Sequence, residues 1–177
     1  MTSLRSPSRL AGVALLLSLC LGVGLAEAED TDAATEIDDT GTVVGTVTLA
    51  SAPSAVLAKV SDPAWVARLG GGDSTTVEVA STDGDCQILD YVSEHPIATA
   101  EYRVRQCLLE GGTRTRLVES EAFSTYEQSW TVSPSGAGTH VTYRLQVVST
   151  LPVPQWMVRR STKSSVHKLM KRLGEAL

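Results

Sequence analysis

A change of hydrophobic period near the C-terminal end restricts this chain more than any other feature. Between residues 75 and 149, apolar and polar residues alternate in six successive runs: 75–81, 86–93, 99–109, 114–123, 126–133 and 139–149. Alternation at every second residue marks strands with one buried face. Turn chemistry separates the runs, at Asp83-Gly84, His95-Pro96, Gly111-Gly112 and Pro134-Ser135-Gly136. After Pro152 and Pro154 the spacing becomes helical: Val158, Thr162, Val166, Leu169 and Leu173 recur every three or four residues, with Met170 and Leu177 widening the stripe. Upstream, Val43, Gly45, Val47 and Leu49 share one face of a first strand, and Pro53 opens a short helix over 54–59. Asp62 caps a second helix that starts at Pro63, carries Trp65 and Leu69 on one side and stops at Gly70-Gly71-Gly72. That triple glycine is a linker and not a phosphate loop, because no Lys-Ser/Thr follows it. The order is one strand, two short helices, six strands and one long helix, an α+β arrangement.

Two cysteines set the register of the first hairpin in the run. If Cys86 and Cys107 sit directly opposite, Asp90 faces Arg103 on their side of the sheet, while Leu89 faces Val104 and Tyr91 faces Tyr102 on the other. A disulfide between them satisfies charge, apolarity and geometry together; two separate thiols are the alternative. For the next hairpin, a three-residue loop over 111–113 places Arg103 opposite Glu121 and Arg105 opposite Glu119, keeping both carboxylates off the apolar face. The inner face then carries Leu89, Tyr91, Tyr102, Val104, Val118, Ser120 and Ala122. Continued alternation adds Gln128, Trp130, Val141, Tyr143, Leu145 and Val147. Arg116 also points inwards in this register, at the start of its strand.

The N-terminal region belongs to a different physical class. Arg5 and Arg9 precede an apolar run over 10–25, and Ala26-Glu27-Ala28 offers a small-x-small cleavage site. These are the three parts of a secretory signal peptide, here residues 1–28. The apolar run is shorter than the ~20 residues of a spanning helix. Leu19 before Cys20 is unlike a lipoprotein signal. Residues 29–41 are dominated by acids and hold one large apolar residue, Ile37, which predicts a disordered acidic leader. The fold is therefore expected over 42–177. Export to an oxidising compartment agrees with a disulfide, and Ala/Val/Gly/Arg-rich usage suits a bacterial periplasm.

The order of elements and several local signatures resemble the START-like helix-grip superfamily, nearest to its polyketide cyclase/dehydrase and coenzyme-Q-binding branches. The residues that carry the resemblance are Val44-Gly45-Thr46-Val47 before Ala52-Pro53, then Val60-Ser61-Asp62-Pro63 with Trp65. Later come Trp130-Thr131-Val132-Ser133-Pro134 and Gly138-Thr139-His140-Val141-Thr142-Tyr143, and Leu151-Pro152 leading into Trp156. The resemblance implies a curved antiparallel sheet wrapped around the C-terminal helix, enclosing a cavity for a lipid, sterol, polyketide or quinone. On that basis Leu89, Tyr91, Tyr102, Val104, Val118, Ser120, Gln128, Trp130, Tyr143, Leu145, Thr162 and Val166 are the expected ligand-cavity residues. Ser161, Thr162, Ser164 and Ser165 either leave volume for a ligand at the helix crossing or form a polar face.

No catalytic residue stands out. His95, His140 and His167 are scattered, without metal-ligand spacing, and no cofactor motif is present. Glu119 and Glu121 share a strand face, but arginines are the natural partners of both. The net charge of −5 argues against a general nucleic-acid binder. The terminal helix, by contrast, carries Arg159, Arg160, Lys163, Lys168, Lys171 and Arg172 against Glu175 alone. That basic helix either attracts anionic lipid headgroups or forms a solvated face over an acidic body. The expected function is an exported protein that holds a hydrophobic small molecule or lipid. A cyclase/dehydratase-type enzyme using the same pocket is the alternative, and a partner-binding domain with a filled cavity is a third class.

Overall fold

A computed structural model describes residues 32–94 and 99–177. The expected signal peptide (1–28), the first residues of the acidic leader and the His95-Pro96-Ile97 turn lie outside these residues. Eight strands form one antiparallel sheet: β1 (Ala34–Ile37), β2 (Val43–Leu49), β3 (Thr75–Asp83), β4 (Cys86–Glu94), β5 (Thr99–Leu109), β6 (Gly112–Ser120), β7 (Phe123–Ser135) and β8 (Gly138–Ser149). Helices α1 (Pro53–Val60) and α2 (Pro63–Gly71) follow β2, and α3 (Gln155–Ala176) follows β8. The spatial order is β1-β2-β8-β7-β6-β5-β4-β3, so the chain closes the sheet by laying β8 beside β2. The expected α+β order β-α-α-β6-α is present, with one strand added at its start.

That strand corrects the reading of residues 29–41 as wholly disordered. Ala34 to Ile37 pair with Thr46 to Val43 along the sheet's edge. Composition hid the strand because an edge strand with an exposed side needs backbone partners more than apolar side chains. A turn held by Asp38 joins it to β2: its carboxylate accepts from the Thr40 and Thr42 amides and the Thr40 hydroxyl, and pairs with Arg144. The hydroxyl bond from Thr40 is the largest influence holding the Asp38 carboxyl below its ordinary range.

The local signals at the helices act as expected. Pro53 and Pro63 stand in first turns, and the Asp62 carboxylate accepts from the Ala64 and Trp65 amides at 2.9 and 3.1 Å. Val43, Val47 and Leu49 form a closed core with Val56 and Val60 of α1, Trp130, Val132, Val141 and Tyr143 of the sheet, and Val166, Leu169, Met170 and Leu173 of α3. Gly45 lets α3 lie directly on β2, since a Cβ there would stand 2.7 Å from Met170 Cγ and Val166 Cγ1.

The β4–β5 hairpin has the expected register throughout: Cys86 faces Cys107, Asp90 faces Arg103, and Tyr91 faces Tyr102. The disulfide is formed. The β5–β6 register departs from expectation. The turn has two residues, Glu110 and Gly111, with Gly111 at φ +71, a conformation that costs glycine little. Arg105 therefore faces Arg116, not Glu119. A bulge at Val118 then shifts the phase, and Arg103 faces Glu119, not Glu121. The same bulge turns Val118 outwards, 53% exposed, so it is not an inner-face residue. Arg116 is exposed and Leu117 takes the inner position. One inserted residue keeps Glu119 off the apolar face, with no need of the longer loop.

Candidate functional site

The inner face of the sheet divides into two zones. Helix α3 crosses over β1, β2 and β8. The C-terminal half of α3 seals the core there, where Trp130 and Tyr143 lie buried with ring centroids 4.4 Å apart. Beside it, on β4, β5 and β7, four half-buried rings form a continuous cluster. Tyr91 stacks on Tyr102 at 5.1 Å with planes 5° apart; Phe123 meets Tyr102 edge-on at 5.3 Å; Tyr126 lies 5.2 Å from Tyr102 and 6.1 Å from Phe123. Such offset and edge contacts are favourable for aromatic pairs. Rings that remain partly exposed on a concave face make an open apolar basin.

Hydroxyl and amide groups stand among the rings, and the Asp62 carboxylate acts on Tyr91. The Tyr126 hydroxyl donates to Gln128 Oε1 at 2.8 Å. Burial pushes the Tyr91 phenol up to about 12 and also raises those of Tyr102, Tyr126 and Tyr143 above the ordinary phenol value. All four are therefore neutral at physiological pH and act as hydrogen-bonding hydroxyls, not as bases.

The expected cavity residues are spread across these zones. Tyr91 and Tyr102 are in the cluster, and Gln128 binds it. Leu89 and Val104 are fully buried in the sheet's inner face. Trp130, Tyr143 and Val166 belong to the closed core, with Leu145 packed against it. Ser120 is engaged by its own turn: its hydroxyl donates to the Glu101 carbonyl and accepts from the Ala122 and Phe123 amides. The Thr162 hydroxyl donates back to the Val158 carbonyl at 2.8 Å. Ser161, Ser164 and Ser165 are exposed, on the polar side of α3. Two of the four rings, Phe123 and Tyr126, are not among the expected cavity residues. Tyr126 shares the alternation of Gln128 and Trp130; Phe123 does not, because a bulge between Phe123 and Thr125 turns it into the basin, and no residue type marks that bulge in the sequence.

A concavity of about 680 Å3 lies behind the cluster, largely on the charged outer face of the same strands. Asp90, Val92, Glu101, Arg103 and Glu119, which line it, share the face of the Asp90–Arg103 pair, opposite to that of Tyr91 and Tyr102. Arg103 donates to both Asp90 oxygens, at 2.7 and 3.0 Å, and this hydrogen bonding holds the Asp90 carboxyl below its ordinary range. These charged groups form a solvated outer surface; the apolar receptor is the ring cluster on the other face. Among the described residues, His140 stands beside Thr48 and His167 beside Thr35, away from the rings. Among the described residues no group of three His, Cys, Asp or Glu side chains is placed to hold a metal ion.

No protein-family model and no curated protein matches the chain. Solved structures do. A START superfamily protein from Mycobacterium smegmatis is 22% identical with a TM-score of 0.65, over 76% of this chain and 95% of that one. The Zhui aromatase/cyclase from Streptomyces sp. R1128 is 18% identical with a TM-score of 0.62, over 76% and 92%. The lipid transfer and protein localization domain of human StarD13 is 17% identical with a TM-score of 0.62, over 84% of each chain. The fold is the START-like helix grip. Within the helix grip, the sheet curves around α3 and the ring cluster occupies the concave surface that α3 leaves uncovered.

Proposed function

We propose that this chain is an exported binding protein that holds a hydrophobic small molecule or lipid non-covalently in the basin beside α3. The single observation that carries the reading is the cluster of Tyr91, Tyr102, Phe123 and Tyr126, half-buried on the concave face. Apolar rings on an open concave surface gain free energy when a ligand displaces water from them, about 25 cal/mol per Å2 covered. The hydroxyls and Gln128 would orient a polar end of the ligand. The fold shared with a lipid transfer domain supports this reading.

The fold shared with an aromatase/cyclase supports a second reading, turnover of a polyketide-like substrate in the same basin. Neutral phenols can orient such a substrate but do not take a proton from it at neutral pH, and the carboxylate that acts on Tyr91 is Asp62. Binding needs only the apolar rings and is the reading we put first. Export rests on the N-terminal sequence, and the mature chain would begin at Glu29. The basic α3 is the surface we assign to peripheral membrane contact.

Native mass spectrometry of the gently purified protein tests the proposal. The expected spectrum shows a stoichiometric adduct of apolar mass that organic extraction removes. Conversion of an added polyketide-like compound would replace binding with catalysis. A bare chain that takes up no added lipid or apolar compound would overturn both.

A further inference from the structure

The segment between β8 and the second turn of α3 places four apolar side chains in solvent: Leu151, Val153, Trp156 and Met157, with Trp156 63% exposed. The segment is fixed in position. Thr150 donates to the Ala122 and Glu121 carbonyls through its amide and hydroxyl respectively, and Gln155 Nε2 donates to the Val147 carbonyl at 2.7 Å. Ala122 and Val147 adjoin Phe123 and Tyr126, so the exposed apolar group sits at the rim of the basin. At 100° per residue, Trp156 and Met157 begin the outward face of α3, which continues through Arg160, Lys163, Ser164 and Lys171. Among the described residues the five ion pairs all involve arginines of the sheet, so Arg160, Lys163 and Lys171 pair with no carboxylate. Arg159 and Arg172 are engaged elsewhere: the Arg159 guanidinium packs over Gly41, and Arg172 donates to the Leu69 carbonyl.

The geometry points to a membrane-insertion wedge: Leu151, Val153, Trp156 and Met157 enter the interface of a bilayer whose anionic headgroups meet Arg160 and Lys163, bringing the basin's rim to the lipid. Amphipathic surfaces of this composition lie in the interfacial plane, with the apolar residues just below the headgroups. No helix among the described residues is long and apolar enough to cross a membrane. A second copy of this chain is the poorer occupant, because a two-fold contact would bring the unpaired cations of both copies together. Glu121 is the one acid tied to this segment and opposes anionic lipid. The inference deepens the membrane contact assigned above and rests on that reading.

Flotation of the purified protein with vesicles of phosphatidylcholine, with and without phosphatidylglycerol, tests it. Binding is expected with phosphatidylglycerol and is expected to weaken with salt. Arg160→Gln with Lys163→Gln should weaken it about 25-fold, at about fivefold per basic residue. Trp156→Ser with Met157→Ser should weaken it by about tenfold or more, and Glu121→Gln should strengthen it. In wild type, the Trp156 emission should shift to the blue on binding; the Trp156→Phe variant identifies that signal. Equal flotation of wild type and the serine variant, or a dimer that the serine variant dissolves, would overturn the wedge. A protein that ignores vesicles yet retains an apolar adduct in the mass spectrometer would overturn the wedge alone and leave the basin's ligand standing.

Discussion

At Gly45 the helix rests on the sheet with no room for a methyl group. Replacing it by Ala puts a Cβ 2.7 Å from Met170 and Val166, both within the closed core, so one side has to move. Overpacking of this kind costs about 1–3 kcal/mol, and chemical denaturation of Gly45→Ala should show a loss in that range. The tyrosines give a second prediction at this scale. Their folded-state ionisation is raised by burial, to about 12 for Tyr91, whereas in the unfolded chain it lies near 10. A raised phenol contributes stability below its unfolded value and loses it as the pH climbs through the folded one. Denaturation midpoints should therefore hold up to about pH 10 and fall between about 10 and 12. Phenolate absorbance of the folded protein should lag behind that of the denatured chain. Coincident titration curves would contradict the burial of the phenols.

Among the elements, the hairpins show what a sequence can and cannot fix. The β4–β5 register was readable because Cys86–Cys107, Asp90–Arg103 and Tyr91–Tyr102 are independent constraints that agree on one pairing. The β5–β6 register was not, because alternation assumes an unbroken ladder and Val118 interrupts it. The inward Arg116 was the visible symptom of that assumption. Phe123 is absent from the expected cavity residues for the same reason, since the β7 bulge reverses its direction. The phase is testable. Val118→Lys should change stability by less than about 0.5 kcal/mol, as at other exposed sites. Leu117→Lys should cost roughly 2 kcal/mol or more, because it turns an ammonium towards the apolar face. Equal costs would contradict the bulge. Strand β1 escaped notice on different grounds. Its stability comes from backbone pairing to β2 and from the Asp38 turn, neither of which leaves a hydrophobic pattern.

For the whole molecule, the two zones of the inner face separate stability from binding. The C-terminal half of α3 completes a core in which Val166, Met170 and Leu173 are almost wholly buried. Its first turns instead stand at the rim of an aromatic surface left partly open. The sequence indicated the inner face and the helix that crosses it, but not where along the sheet the helix would lie. That position decides which inner-face residues become core, as with Trp130 and Tyr143, and which line the basin, as with Tyr91 and Tyr102. The central claim is that this basin takes an apolar ligand. Titration of Nile red fluorescence into wild type, Val147→Trp and Val118→Lys tests it most directly, with thermal unfolding confirming that each variant is folded. Val147 faces Tyr126, so an indole there fills the basin, whereas position 118 lies on the outer face. The account predicts saturable binding to wild type and Val118→Lys and a loss of about tenfold or more for Val147→Trp. Equal binding by all three folded proteins would contradict it.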